Sequence, residues 1–348
     1  MLIFLKFEYS YRMQSQNKKI KARITGTGSY LPERVLTNQD LEKMVETSDE
    51  WIFTRTGMKE RRIAGDGEFT SDMGLEAAKK ALKKAQIEPE AIDLILVATL
   101  TPDYTFPSTA CLIQSQLKAT HAAALDIQAA CTGYLYGLAI AKAFIESGMC
   151  KNVLIIASEK LSSIVNYKDR NTCILFGDGA SACVVSSEGR GLVIQDVSIG
   201  ADGDQSQLLI LPAGGSRVPA SKESIEQDLH YIKMEGKEVF KHAVRRMESA
   251  AKESLEKAGI QESDISWLVP HQANTRIIEA LAKRFEIADD RVFVTIHKYG
   301  NTSASSIGIA LDELLEAHPL SPKDNILLAA FGAGLTWGAS VLSLEDEI

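Results

Sequence analysis

The sequence is poor in aromatic residues, which make up 7% of it, and its five cysteines are odd in number with no C-x-x-C pair. Few aromatics beside plentiful alanine and glycine argue against a jelly roll or sandwich and for closely packed helices and sheets. Cys111, Cys131, Cys150, Cys173 and Cys183 are scattered, and no histidine stands near them at zinc spacing. Neither a structural metal nor a disulfide framework is therefore expected. Scattered thiols fit a reducing compartment, so a cytoplasmic location is expected. No apolar run is long enough to span a bilayer. Met1 to Leu5 is apolar, but Lys6, Glu8 and Arg12 interrupt it and no small-residue cleavage site follows, which makes a poor signal peptide. Met13, just ahead of the polar run Gln14 to Lys19, is a candidate start. The folded unit is expected to begin near Lys21, with residues 1–20 an extension that is disordered or belongs to an upstream start. Neither a G-x-G-x-x-G fingerprint nor a P-loop GK[ST] occurs.

What is present suits a globular α/β protein. The 348 residues include 46 acidic and 38 basic side chains, for a net charge of −8. That balance argues against broad binding to nucleic acid or to an anionic membrane. The length suits two domains or one large two-part domain. Ser71 to Ala85 has the period of an amphipathic helix, and Ile92 to Thr99 reads as a buried strand. Thr109 to Leu117 predicts a helix, Ala124 to Ile127 a strand, Thr132 to Ser147 a small apolar helix and Asn152 to Ala157 a further strand. This alternation predicts βαβ units with a partly parallel sheet.

The second half repeats the first. LKKAQIEPEAIDLILVAT, from Leu82, aligns without a gap on LEKAGIQESDISWLVPHQ, 173 residues later. FGDGASACVVSSE, from Phe176, likewise matches FGAGLTWGASVLSLE, from Phe331. Two matches in the same order predict tandem halves of similar fold, at about 21–190 and 191–348. Each half also has a strand running into a helix rich in small residues, LDIQAACTGYLYGLAIA and VTIHKYGNTSASSIGIALDELL. Cys131 and Asn301 are thus expected at equivalent junctions, facing one another near a pseudo-two-fold axis.

Three residues can carry chemistry. A thiol at the start of a helix feels the positive end of its dipole, which would lower the pKa of Cys131, and Gly133 leaves room for a substrate. The alternative, a buried inert cysteine, is the expected state of the other four. His271 ends the strand WLVP, where α/β folds place reacting groups. Its imidazole can donate to a carbonyl or exchange a proton, or it can simply cap a helix. Asn301 offers a neutral amide donor, or an N-cap. The loop FGAGLTWG, with Gly332, Gly334 and Gly338, can turn N–H groups toward an oxyanion, although such turns are common. A cysteine, a histidine and an asparagine on duplicated junctions suit acyl transfer through a thioester.

The segments TSDEWIFTRTGMKERR, AACTGYLYGL, ILFGDGASA, GKEVFKHAV, PHQANTRI, GNTSASS and FGAGLTWG give the chain a specific resemblance to the β-ketoacyl-acyl carrier protein synthase III family, from about Lys21 onward. The resemblance implies an α/β thiolase fold, a five-layer αβαβα arrangement of two duplicated halves. It implies that Cys131 takes an acetyl or other short acyl primer from acyl-CoA and that malonyl-acyl carrier protein then enters. His271 and Asn301 would hold the malonyl thioester oxygen as carbon dioxide leaves, and the backbone N–H groups of Cys131 and Ala333 would hold the other oxyanion. No cofactor is implied, since the CoA thioester is a substrate. CoA binding falls to Trp51 and Arg170 about the adenine, Arg55 at the pyrophosphate, Thr47 alongside, and Asn274. Phe106 would cross a homodimer interface to the partner's acyl pocket. Two departures stand out: Lys237 replaces a common asparagine of the pantetheine tunnel, and the loop has Ala333 and Leu335 where GGGF is frequent, so that Leu335 bears on the primer pocket. An acidic carrier protein needs a basic surface. Lys237, Lys241 and Arg245 share one helical face, and Arg276, Lys283 and Arg284 form a second stripe. Two other readings stay open: a related acyltransferase or ketosynthase of secondary metabolism, and a non-catalytic acyl-CoA-binding protein. The intact Cys131, His271 and Asn301 set argues against the latter.

Overall fold

In the strand Leu94–Ala98, Leu94, Leu96 and Ala98 join one apolar cluster while Ile95 and Val97 join another. That is the period of two of an extended chain, and burial on both sides requires a cover on each face. The same alternation recurs in Asn325–Gly332, where Ile326, Leu328 and Ala330 oppose Leu327, Ala329 and Phe331. The structure, a computed structural model, describes residues 20–345, so almost all of the expected N-terminal extension lies outside the described residues.

The first half has the strand order Arg23–Tyr30, Gly179–Ser186, Asn152–Glu159, Leu94–Ala98, Ala123–Ile127. Its first two pairings are antiparallel and its last two parallel. The second half has the order Leu192–Ala201, Thr336–Leu344, Asn325–Gly332, Ile265–Pro270, with two antiparallel pairings and then a parallel one. A parallel bridge from Leu268 to Val292 stands where a fifth strand would pair. The halves meet edge to edge at Arg23 with Val193 and Ile24 with Leu192. The repeat also holds at helix ends. Helices Thr70–Ala85 and Gly236–Ala258 stop 173 residues apart, each on a left-handed residue, Gln86 and Gly259. The turns Pro89–Ala91 and Glu262–Asp264 follow at the same interval.

Helices Gly133–Glu146 and Ser305–Ala317 lie between the two halves of the nine-stranded sheet, packing Leu135, Leu138, Ile307 and Leu311 among Leu96, Ile155, Ile326 and Leu328. Thr70–Ala85 and Thr109–Leu117 cover the outer face of the first half. Gly236–Ala258 and Thr275–Arg284 cover that of the second. The result is the expected five-layer thiolase-type arrangement. Each fully buried leucine or isoleucine in these layers contributes about 1.5–3 kcal/mol of transfer free energy. The central helix Ser305–Ala317 is anchored by Asp312, whose buried carboxylate accepts from Thr27 (2.7 Å), Ser29 (2.8 Å) and Lys84 (2.7 Å). Among the described residues no helix is long and apolar enough to cross a membrane.

Candidate active site

The chain leaves the strand Ala123–Ile127, makes a single turn over Ala130–Thr132 and enters the helix Gly133–Glu146, one residue later than the sequence suggests. Ala130 takes a left-handed conformation (φ 46°), uncommon for a side chain, which sets Cys131 at the helix entrance. The hydroxyls of Thr132 and Thr336 lie 2.8 Å apart, and both donate to Ala129 O, at 2.6 and 3.1 Å. The turn that carries Cys131 is thereby tied to the loop after Gly332.

The expected low pKa of Cys131 is corrected by its surroundings. The residue is 7% exposed. Burial pushes the thiol up to about 12, with the nearby Glu159 carboxylate adding to the rise and the Ser303 hydroxyl and the residue's own N–H opposing it. Desolvation outweighs the helix terminus, and the resting residue is a thiol.

His271 follows the strand Ile265–Pro270. Its N–H donates to Ala329 O (2.8 Å), and its Nδ1 lies 2.6 Å from Ser306 Oγ. Burial depresses the imidazole to about 3, so the ring is neutral at ordinary pH. Gln272 fastens the segment: its Nε2 donates to Pro270 O (2.7 Å), and its Oε1 accepts from the N–H groups of Thr295 (2.9 Å) and Ile296 (3.1 Å). Asn301 donates its N–H to Leu175 O (2.8 Å) and accepts at Oδ1 from Ser303 N (2.8 Å). Its amide Nδ2 is thus oriented by a turn of its own. Asn301 is not the cap of the following helix, a position held by Ala304.

The pairing of Cys131 with Asn301 as equivalent positions is also corrected. The left-handed residues that start the two central helices are Ala130 (φ 46°) and Ser303 (φ 52°). This register places Ala304, not Asn301, opposite Cys131 in the repeat. The two entrances do touch, since a β-carbon on Gly133 would lie 3.3 Å from Ala304 Cβ.

A cavity of about 880 Å³ joins these groups. Cys131, His271, Asn301 and Gly332 form its buried end, Met247, Ile277 and Phe331 part of its apolar wall, and Arg55, Lys237, Lys241 and Arg276 its exposed mouth. Trp51 stands at the mouth with two guanidiniums close to its ring, Arg55 Cζ at 4.6 Å and Arg170 Cζ at 4.9 Å from the ring centre, although Arg170 itself does not line the cavity. Asn274 caps the helix Thr275–Arg284 through Arg276 N (3.0 Å) and donates to Arg55 O (3.0 Å), while Thr275 donates to Thr56 O (3.0 Å). These bonds join the Asp49–Thr56 helix to the second half.

Other expected residues lie elsewhere. Leu335 does not line the cavity: it is fully buried among residues of the outer cluster under Gly236–Ala258, and its N–H donates to Asp202 O (2.7 Å). Thr47, Ala333, Arg245, Lys283 and Arg284 are also outside the lining. Phe106 is 84% exposed and away from it. Lys241 pairs with Glu238 (2.8 Å) and Arg284 with Glu248 (2.8 Å).

Several residues at the site escaped sequence reading. Ser303 and Ser306 belong to the GNTSASS segment, read above for its asparagine alone. Glu159 closes the strand Asn152–Glu159 as its lone charged residue, and that acid was a visible signal. It is fully buried and its pKa is pushed up to about 7, chiefly by burial, against hydrogen bonds from Thr101, Leu100 and Thr99.

Residues 125–203 match the family model for 3-oxoacyl-[acyl-carrier-protein (ACP)] synthase III, and residues 255–344 match that for its C-terminal part. The chain is 63% identical to a beta-ketoacyl-[acyl-carrier-protein] synthase III of Chlamydia muridarum, over 93% of this chain and 99% of that one. It is 58% identical to a protein of the same description from Caldanaerobacter subterraneus, over 93% and 98%. The crystal structure of 3-oxoacyl-[acyl-carrier-protein] synthase III from Aquifex aeolicus superposes with a TM-score of 0.85 at 52% identity, covering 92% of this chain and 99% of that one.

Proposed function

The chain belongs to the β-ketoacyl-[acyl-carrier-protein] synthase III family of thiolase-fold condensing enzymes, and on that premise we propose a division of labour among its residues. The reaction condenses an acyl-CoA primer with malonyl-acyl carrier protein through an acyl-cysteine, the step that opens fatty acid synthesis. Cys131, in the N-terminal half (21–190), is the nucleophile. Its sulfur forms a bond to the acyl carbonyl carbon, the bond to the CoA sulfur breaks, and the thiol proton leaves with CoA as CoASH. His271 and Asn301, in the C-terminal half (191–348), donate from Nε2 and Nδ2 to the malonyl thioester oxygen. They stabilise the enolate formed when the C–C bond to the carboxylate breaks and carbon dioxide departs. The enolate carbon attacks the acyl-Cys131 carbonyl, the sulfur leaves as a thiolate that takes up one proton from solvent to restore the thiol, and 3-ketoacyl-acyl carrier protein is released. Decarboxylation needs donors rather than a base, which a neutral imidazole and an amide supply.

The second oxyanion, on the acyl carbonyl, is assigned to the N–H groups of Cys131 and Ala333. Trp51, Arg55, Arg170 and Asn274 receive acetyl-CoA or another short acyl-CoA, with Thr47 behind them. The exposed cations Lys237, Lys241, Arg245, Arg276 and Lys283 surround the approach for an acidic carrier protein. Lys241 and Arg284 are weaker in that role because Glu238 and Glu248 hold them. The working unit is a homodimer in which exposed Phe106 meets the partner's pocket. The observation that carries this reading is the meeting of Cys131, His271 and Asn301 at the closed end of a cavity whose mouth carries Trp51 and Arg55.

The test is mass spectrometry after mixing with a panel of acyl-CoAs without malonyl donor. A single acyl adduct on Cys131, absent in Cys131→Ala, is expected, and the preferred substrate names the primer. His271→Ala should still load the primer and lose decarboxylation. No adduct on folded protein would favour a carrier-loaded relative or an acyl-CoA-binding protein.

A further inference from the structure

A neutral imidazole has one N–H, and the tautomer decides which face of the ring donates. In this site that choice is made by one buried hydroxyl. Ser306 is 2% exposed and stands in the first turn of the central helix Ser305–Ala317. Its Oγ has two recorded neighbours among the described residues, His271 Nδ1 at 2.6 Å and the N–H of Gln272 at 3.3 Å. The Gln272 N–H can only donate, so Ser306 Oγ is its acceptor. The serine hydrogen then has one acceptor in reach, the lone pair of His271 Nδ1. Were the ring proton on Nδ1 instead, Ser306 would accept two donors, and its own buried hydrogen would be left without an acceptor. Such an orphan costs about 1–3 kcal/mol.

We infer that Ser306 is a positioning residue that donates to His271 Nδ1 and so keeps the ring proton on Nε2. The Nε2–H is the donor that His271 needs in the role given above, on which the catalytic part of this inference rests. The arrangement is matched on the other donor. Ser303 N–H occupies Asn301 Oδ1, so that the Asn301 amide also presents its N–H side. Two serines of the same segment, one by side chain and one by backbone, thus turn two ambiguous groups into two donors.

The test has two arms, and the first needs no substrate. Selective ¹⁵N-histidine labelling, with the His271 signals assigned by their loss in His271→Ala, reads the protonated nitrogen directly in the full-length protein. The unsubstituted protein should show the Nε2–H tautomer. Ser306→Ala should show a shift toward Nδ1–H or a mixture, and Ser306→Thr, which keeps the hydroxyl, should restore Nε2–H. In the second arm, carbon dioxide release from malonyl-acyl carrier protein should fall at least about tenfold in Ser306→Ala and recover in Ser306→Thr, while acyl-CoA loading of Cys131 stays within about twofold. A wrong tautomer in a Ser-His-Asp triad costs about 10⁴-fold, which sets the upper scale. An Nδ1–H signal in the unsubstituted protein overturns the inference even if Ser306→Ala fails to fold. An unchanged tautomer in folded Ser306→Ala also overturns it. If His271→Ala still decarboxylates, the role given to His271 fails, while the labelling result still decides what Ser306 does to the ring.

Discussion

Gly332 lies against the backbone of Cys131. A β-carbon on Gly332 would sit 2.8 Å from Cys131 N and 3.3 Å from its Cβ. Backbone cannot swing aside as a long side chain can, so Gly332→Ala must displace the Cys131 turn or the strand that ends at Gly332. A misplacement of about 1 Å costs on the order of 100-fold in rate. The expected outcome is that loss in acyl-Cys131 formation, with about 1–3 kcal/mol of destabilisation. Timed mass spectrometry and thermal melting read both, and unchanged loading would count against a tight contact here.

Trp51 lies at the cavity mouth beside Arg55 and Arg170, and stacking of a base on an aromatic ring is worth about 1–3 kcal/mol. Trp51→Ala should raise the KM for acyl-CoA about tenfold or more with kcat little changed. Steady-state kinetics at saturating malonyl-acyl carrier protein separates the two constants. A fall in kcat alone would place Trp51 in the fold rather than at the CoA.

The buried pair Glu159 and His271 predicts an unusual pH profile. The histidine is depressed from 6.5 to about 3. Between those values the unfolded chain binds a proton that the native one does not, and stability falls as pH falls. Glu159 is raised from 4.5 to about 7, so in that window the native chain holds the extra proton and stability falls as pH rises. The two slopes oppose one another where the windows overlap, each on the order of 1 kcal/mol per pH unit. Glu159→Gln should remove the second slope and leave stability rising with pH from about 5 to 6.5. Denaturant titrations across that range test this; a variant parallel to the parent would refute it.

Asp312 joins the central helix to the first half through Thr27, Ser29 and Lys84. Asp312→Ala leaves those donors without a buried acceptor and should destabilise by about 3–5 kcal/mol. Asp312→Asn should lose less, because it still accepts from a hydroxyl. Chemical denaturation of the three proteins ranks them, and an alanine variant as stable as the parent would show that the donors find water instead.

Much of this was legible in sequence because it rests on local rules. The helix Thr109–Leu117 was read with its observed bounds, and Ser108 caps it. The repeat at 173 residues anticipated paired helix ends at Ala85 and Ala258. The strand-to-helix setting of Cys131 followed from an apolar run meeting small residues. What escaped depended on contacts from afar. Ala130 and Ser303 carry no glycine or asparagine to announce a positive φ, so the register of the central helices was read three residues off. Cys131 is desolvated by the other half, which no local dipole argument includes. Leu335 was read as bearing on the primer pocket because its loop departs there from the frequent GGGF. Packing under Gly236–Ala258 takes its side chain into the outer cluster instead. Ser306 was one small polar residue among several until His271, 35 positions away, was seen beside it.

The register that sets Ala304 opposite Cys131 has an arithmetic consequence. Duplication gives the chain two helix entrances of matching shape, yet the second offers a methyl group where the first offers sulfur. The halves therefore do not act as two half-size catalysts. Under the proposed roles, one entrance would hold the acyl group and the other would be free to serve the incoming malonyl unit, so each chain would carry one acyl equivalent per turnover.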